Sequence, residues 1–182
     1  MSNAPAPHEY APSHATYVAL VADSHDILDT LRRQREELAD LAAEVPPERE
    51  HHRYAEGKWS IREVLGHMAD AERIFGYRAL CLARGEQQPL PSFDENLYAA
   101  HSTADARPLR DLLGELLALR EANIALLRGL DDAGWRRSGT VMGRPATARG
   151  FAYVIAGHAA HHLGILRERY GVVRGVAVEP VG

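Results

Sequence analysis

Cysteine is nearly missing from this 182-residue chain. Cys81 stands alone, so no disulfide can form within it. That fits a reducing compartment, and the cytoplasm is the expected location. No apolar run approaches the ~20 residues that a membrane-spanning helix needs, so no membrane partner is expected. Residues 1–12 hold three prolines and no apolar stretch of the kind an export signal carries; they read as a flexible N-terminal tail. Positive charge is not in excess: 21 Lys and Arg stand against 25 Asp and Glu, a formal net charge of -4. Without a basic footprint, a direct role on DNA or RNA is not expected. There is no repeat of fixed period, no low-complexity block, and no alternation of strand and helix patterns.

What the chain does have is helical periodicity. Leu20, Val21, Ile27, Leu28, Leu31, Leu38 and Leu41 recur at near-helical spacing, predicting a first helix from Ser13 or His14 to Ala43, stopped by Pro46-Pro47. Ser60-Ile61-Arg62-Glu63 is a capping box that opens a second helix, with Trp59 just before it. Its apolar face carries Val64, Met68, Ala71, Phe75 and Leu82, and Gly85 ends it. Residues 87–107 form a long connection with two prolines, long enough to cover a site or to serve as a crossover. Pro108 opens a third, leucine-rich helix. Residues 131–144 read as a turn region, and Thr147 as the cap of a fourth helix ending at Gly171. The expected fold is all-α, a four-helix bundle over residues 13–171, followed by a C-terminal tail at 172–182.

Two histidines one turn apart, His158 and His162, share the apolar face of the fourth helix with Phe151, Val154, Ile155, Ile165 and Leu166. Residues at i and i+4 are neighbours on a helix and can share one metal ion. One reading is a pair of hydrogen-bonded core histidines. Yet nothing else on this stripe satisfies two buried imidazoles, and each unpaired nitrogen costs ~1–3 kcal/mol. His161 lies nearer the edge of the stripe, where it can support the site or replace His162 if the helix is rotated. His67 sits at the flank of the second helix, near Glu63 and Asp70. Those carboxylates either hold a half-exposed histidine or orient a ligand imidazole.

Other candidates are weaker. His8, His14, His51 and His52 lie in polar contexts and read as solvated. His25 faces either way, and His101 shares the long connection with Asp94, Glu95 and Tyr98. Cys81 has no activating base nearby and reads as a core residue. The helical glycines Gly66, Gly157 and Gly164 permit close helix approach, at the site or at a dimer interface. His158-Ala159-Ala160-His161-His162 lacks the Glu that follows the first histidine in zinc peptidases, which sets that class aside.

Two segments, Lys58-Trp59-Ser60-Ile61-Arg62-Glu63-Val64-Leu65-Gly66-His67 and Ala156-Gly157-His158-Ala159-Ala160-His161-His162, resemble the DinB/YfiT-like superfamily of metalloenzymes. Glu72 and Phe75 continue the pattern, and the resemblance spans roughly Ser13 to Tyr170. It implies a bundle with a three-histidine metal site, carried over by position to His67, His158 and His162. Three imidazoles accept several divalent ions; the resemblance puts zinc or nickel first, with iron or manganese behind. It also implies a small-molecule substrate, a homodimer and stress-linked expression. Some members of the family transfer low-molecular-weight bacterial thiols. The functions expected are therefore a metal-dependent thiol S-transferase, a metal-dependent hydrolase, or a non-enzymatic metal-holding bundle.

Overall fold

The computed structural model describes residues 4–172. Among these residues seven α-helices follow one another: α1 (Ala15–Ala19), α2 (Ile27–Ala43), α3 (Ile61–Arg84), α4 (Glu95–His101), α5 (Leu109–Arg128), α6 (Asp132–Arg136) and α7 (Ala148–Glu168). The four long ones form the bundle. α3 packs on α5 and α7, and α2 packs on the same two from the other side, so the order around the bundle is α2, α5, α3, α7. The short α1 lies against α7. Among the described residues no helix is long and apolar enough to cross a membrane.

Helix starts follow local hydrogen-bonding chemistry. Asp26 accepts from the amides of Leu28 and Asp29, and Ser60 and Glu63 form the expected capping box. The Thr147 hydroxyl accepts from the Gly150 amide. Gly85 closes α3 in the left-handed region at φ 79°, where a side chain would be strained.

Three expectations need correction. The first helix is two, because the chain turns through residues 20–26, leaves Leu20 55% exposed, and starts again at the Asp26 cap. An aspartate able to bond amides ahead of it competes with helix continuation at that point. The turn region hides a hairpin, β1 (Ser138–Val141) paired antiparallel with β2 (Arg144–Thr147). Its two-residue turn puts both Met142 and Gly143 at positive φ, the geometry that suits a tight hairpin. Finally, the segment expected as a loose N-terminal tail is packed from Pro5 onward. Glu9 is buried, accepts from the Thr147 hydroxyl and pairs with Arg149. Of the C-terminal tail, Val172 is buried and the rest lies outside the described residues.

Two apolar clusters fill the bundle. One gathers Leu31, Phe75, Ile124, Phe151 and Ile155; the other Leu38, Met68, Leu116, Leu163 and Leu166. Between them runs a polar layer drawn from all four helices. Arg120, fully buried, donates to both carboxylate oxygens of Glu72 at 2.7 and 3.1 Å and to Gln34 at 3.3 Å. Gln34 in turn donates to the Ala156 carbonyl at 2.8 Å, two residues before His158. Removing one partner of a buried ion pair strands the other charge, at a cost of about 3–5 kcal/mol. Glu72→Ala is therefore expected to lower the urea midpoint sharply; a change within error would show that Arg120 finds another partner.

Candidate metal centre

α3 and α7 bring their histidines together. The Nε2 atoms of His67 and His158 lie 3.1 Å apart, and those of His162 and His158 lie 3.2 Å apart. One ligand atom from each of the three residues falls within 4.8 Å of the others, and among the described residues no other group of three converges in this way. His158 and His162 are buried and His67 is half-buried.

Several neighbours fix the rings. Gly157 is in close van der Waals contact with α1: a Cβ there would collide with the Tyr17 carbonyl. That approach sets the Tyr17 ring edge-on to His158, centroids 5.3 Å apart. Trp59, at the mouth of the α3 capping box, lies 4.7 Å from the His67 ring. Phe75 meets His158 edge-on at 5.5 Å.

Burial pushes the His67 imidazole down from its ordinary 6.5 to about 4. Burial also drives His158 and His162 well below their ordinary value, and the neighbouring imidazoles add to this. All three are therefore neutral near pH 7, each with a free lone pair. A neutral imidazole carries one N–H and one lone pair on separate nitrogens. The single Nε2 of His158 cannot make two good hydrogen bonds along one in-plane direction. An ion among three lone pairs resolves the conflict. Tetrahedral zinc bound by nitrogen at 2.0–2.1 Å implies N···N separations of about 3.3 Å, close to the two that His158 Nε2 makes. The donor set fits a divalent ion. The other nitrogen of His162, Nδ1, is buried without a partner.

The cluster opens into a cavity of about 340 Å³, with His14, Tyr17, Trp59, Arg78, Phe93 and Glu95 in its walls. Phe93 and Glu95 come from the long connection, which here covers the site. Glu63 and Asp70 do not orient His67: Glu63 bonds the Ser60 amide and pairs with Arg53, and Asp70 lines a separate cavity beside Glu115. His14, expected in solvent, is 7% exposed, because the short α1 folds its start onto Phe75 and Phe151. His161 is exposed at the rim, its ring 5.4 Å from Tyr17. His8, His25, His51, His52 and His101 are exposed, and none lines this cavity. Cys81 is buried in the core. Arg78, Tyr17 and Met142 carried no signal in the sequence, since their placement depends on how α1 and the hairpin dock.

No curated protein matches the chain. Among solved structures it is similar to YfiT from Bacillus subtilis, described as a probable metal-dependent hydrolase with an unusual four-helix bundle topology. The two share 22% identity at a TM-score of 0.70, over 91% of this chain and 95% of that one, a likeness of fold. The family model of the DinB superfamily matches residues 30–166. That span runs from the first turn of α2 into the last turn of α7 and includes all three converging histidines; the chain belongs to the DinB superfamily.

Proposed function

We propose that this protein is a metal-dependent enzyme acting on a small molecule, with hydrolysis as its chemistry. His67, His158 and His162 hold one divalent ion, zinc or nickel first, through their Nε2 atoms. The observation that carries this is the pair of short contacts at His158 Nε2, 3.1 and 3.2 Å, at the wall of a cavity of about 340 Å³. Three protein ligands leave a coordination position open, the arrangement of catalytic rather than structural sites. The bound ion would supply Lewis acidity at that position.

The chain's own residues shape the remainder. Tyr17, Trp59 and Phe75 shield the imidazoles with aromatic surface. Among the described residues Glu95 contributes the one carboxylate in the cavity wall, held at the start of α4 by the Asp94 cap. Its negative charge acts on both His67 and Tyr17. Glu95 is thus placed to accept a proton from a nucleophile in the cavity.

The likeness to YfiT supports hydrolysis. The motif resemblance supports thiol S-transfer as the second reading, and one experiment separates them. Zinc-loaded protein is assayed with chromogenic esters and amides, with and without a low-molecular-weight thiol. Turnover without thiol that a chelator abolishes supports hydrolysis; turnover only with thiol transfers the reading to S-transfer; none in either arm leaves a metal-holding bundle. Glu95→Gln is expected to lower kcat by about 100-fold or more with metal content intact, the contribution typical of a positioned proton acceptor. An unchanged kcat removes Glu95 from the mechanism.

A further inference from the structure

Arg78 is the odd residue of the cavity. It is 3% exposed, and its guanidinium carbon stands 6.0, 5.6 and 5.8 Å from the ring centres of Phe75, Phe93 and Phe151. Nη2 donates to the Pro91 carbonyl at 2.6 Å, but Nη1 is buried with no partner, and no carboxylate pairs with it among the described residues. A buried charge without a counter-ion costs several kcal/mol, against which each ring contact returns about 0.5–2 kcal/mol and leaves the hydrogen-bonding capacity of Nη1 unused. His14 packs on two of the same rings, 5.8 Å from Phe75 and 5.9 Å from Phe151, and its Nδ1 is likewise buried and unpaired. Two idle nitrogens, one of them cationic, thus flank one patch of aromatic wall.

We propose that this corner is an anion subsite, in which Arg78, with His14 beside it, holds the carboxylate of a small substrate whose reactive end lies at the histidine cluster. That the anion belongs to the substrate rests on the metal-centre reading; the subsite itself does not. Phe75 links the two ends: its ring centre is 5.5 Å from His158 and 6.0 Å from the guanidinium carbon, so no more than these two lengths together separates them. Both ends line the same cavity. A carboxylate suits two donors, whereas a phosphate dianion asks for more. Both nitrogens are closed to water, so binding requires a neighbouring ring to move aside, and the half-buried Phe93, 5.6 Å from the guanidinium carbon, is the least enclosed of the three rings around it. Glu95, in the same wall, lies on the histidine side, where its charge acts on His67 and Tyr17.

The test uses metal-free full-length protein titrated calorimetrically with benzoate, neutral benzamide and inorganic phosphate. Benzoate is expected to saturate, with benzamide about 10- to 100-fold weaker, the range of a charge-assisted hydrogen bond. Arg78→Met should lose benzoate by a similar factor, and Arg78→Lys in part. Equal affinity for benzoate and benzamide, unchanged binding by Arg78→Met, or no saturable binding overturns the proposal. Phosphate binding without benzoate binding overturns the carboxylate assignment. If Arg78→Met does not fold, the 15N shift of the Arg78 side chain in the unaltered protein decides: movement on adding benzoate supports the subsite, and a still signal overturns it. Zinc uptake by Arg78→Met should match the unaltered protein. Benzoate binding that persists while no zinc binds would instead sink the metal centre and leave the subsite standing.

Discussion

Zinc added to metal-free protein is expected to raise Tm by about 8–16 °C, and to leave His158→Ala where it was. The size follows from linkage. A ligand present at a thousand times its Kd stabilises the folded state by about 4 kcal/mol, and a domain of this length shifts by about 2–4 °C per kcal/mol. His158 is the variant to choose because its Nε2 makes both short contacts, one to α3 and one along α7. Removing it leaves His67 and His162 without the residue that joins them. His161→Ala is the matched control: its ring is exposed and it does not belong to the converging set, so its zinc shift should be retained. Elemental analysis of the same samples should give one ion per chain for the unaltered protein and His161→Ala, and none for His158→Ala. An equal zinc shift in His158→Ala would mean that zinc binds elsewhere, and the cluster would be only a set of packed core histidines.

Much of this site was legible because helices are written locally. Placing His158 and His162 on one face needs only 3.6 residues per turn and the apolar neighbours that give the face its direction. The Ser60 and Thr147 caps were legible for the same reason, as each bonds an amide three residues ahead. Bringing His67 to the pair was different. That contact spans 91 residues and depends on α3 lying beside α7, which no periodicity specifies; the residues around His67 left its role open, and the motif resemblance pointed to the pair. The cavity wall was least legible. His14 reads as polar surface because its neighbours in sequence are Ser13 and Ala15, yet α1 folds it onto two phenylalanines from α3 and α7. The hairpin was hidden because its turn uses Met142 and Gly143 rather than the usual Asn-Gly. The expected help of Glu63 and Asp70 to His67 failed through competition. Arg53 and the Ser60 amide take the first, and the second pairs with Arg73 and lines another cavity.

The second large effect is acid lability of the metal-free protein. In an unfolded chain histidines titrate near 6.5. In the fold, burial holds His14 and His67 down to about 4, with the positive charge of Arg78 adding to the effect on His14; His158 and His162 are also held well below their ordinary value, again chiefly by burial. Above pH 6.5 neither state carries these protons, and the stability from this source is fully present. As pH falls below 6.5 the unfolded chain takes up protons that the folded chain refuses, so stability drops until the folded pKa is reached near 4. A depression from 6.5 to about 4 corresponds to roughly 3 kcal/mol per imidazole at full effect. Two such groups already rival the lower end of a whole domain's stability, about 5 kcal/mol. The carboxylates act in a lower window. Burial pushes Glu9, Asp105 and Glu115 upward, but bonds to Arg149, to Ser60 and His51, and to Arg107 and Arg73 outweigh it, so their contribution is lost only below their ordinary range near 4. Urea midpoints of chelated protein should therefore fall steeply between pH 6.5 and 4.5, before the carboxylates titrate. Zinc should move that fall to lower pH, because protons must then compete with the ion for three of the four imidazoles. His14, outside the triad, supplies the internal check: His14→Phe should flatten part of the decline with or without zinc. A midpoint that stays level from pH 7 to 5 in chelated protein would mean that water reaches these imidazoles, and the dry, neutral donor set on which the metal centre depends would be gone.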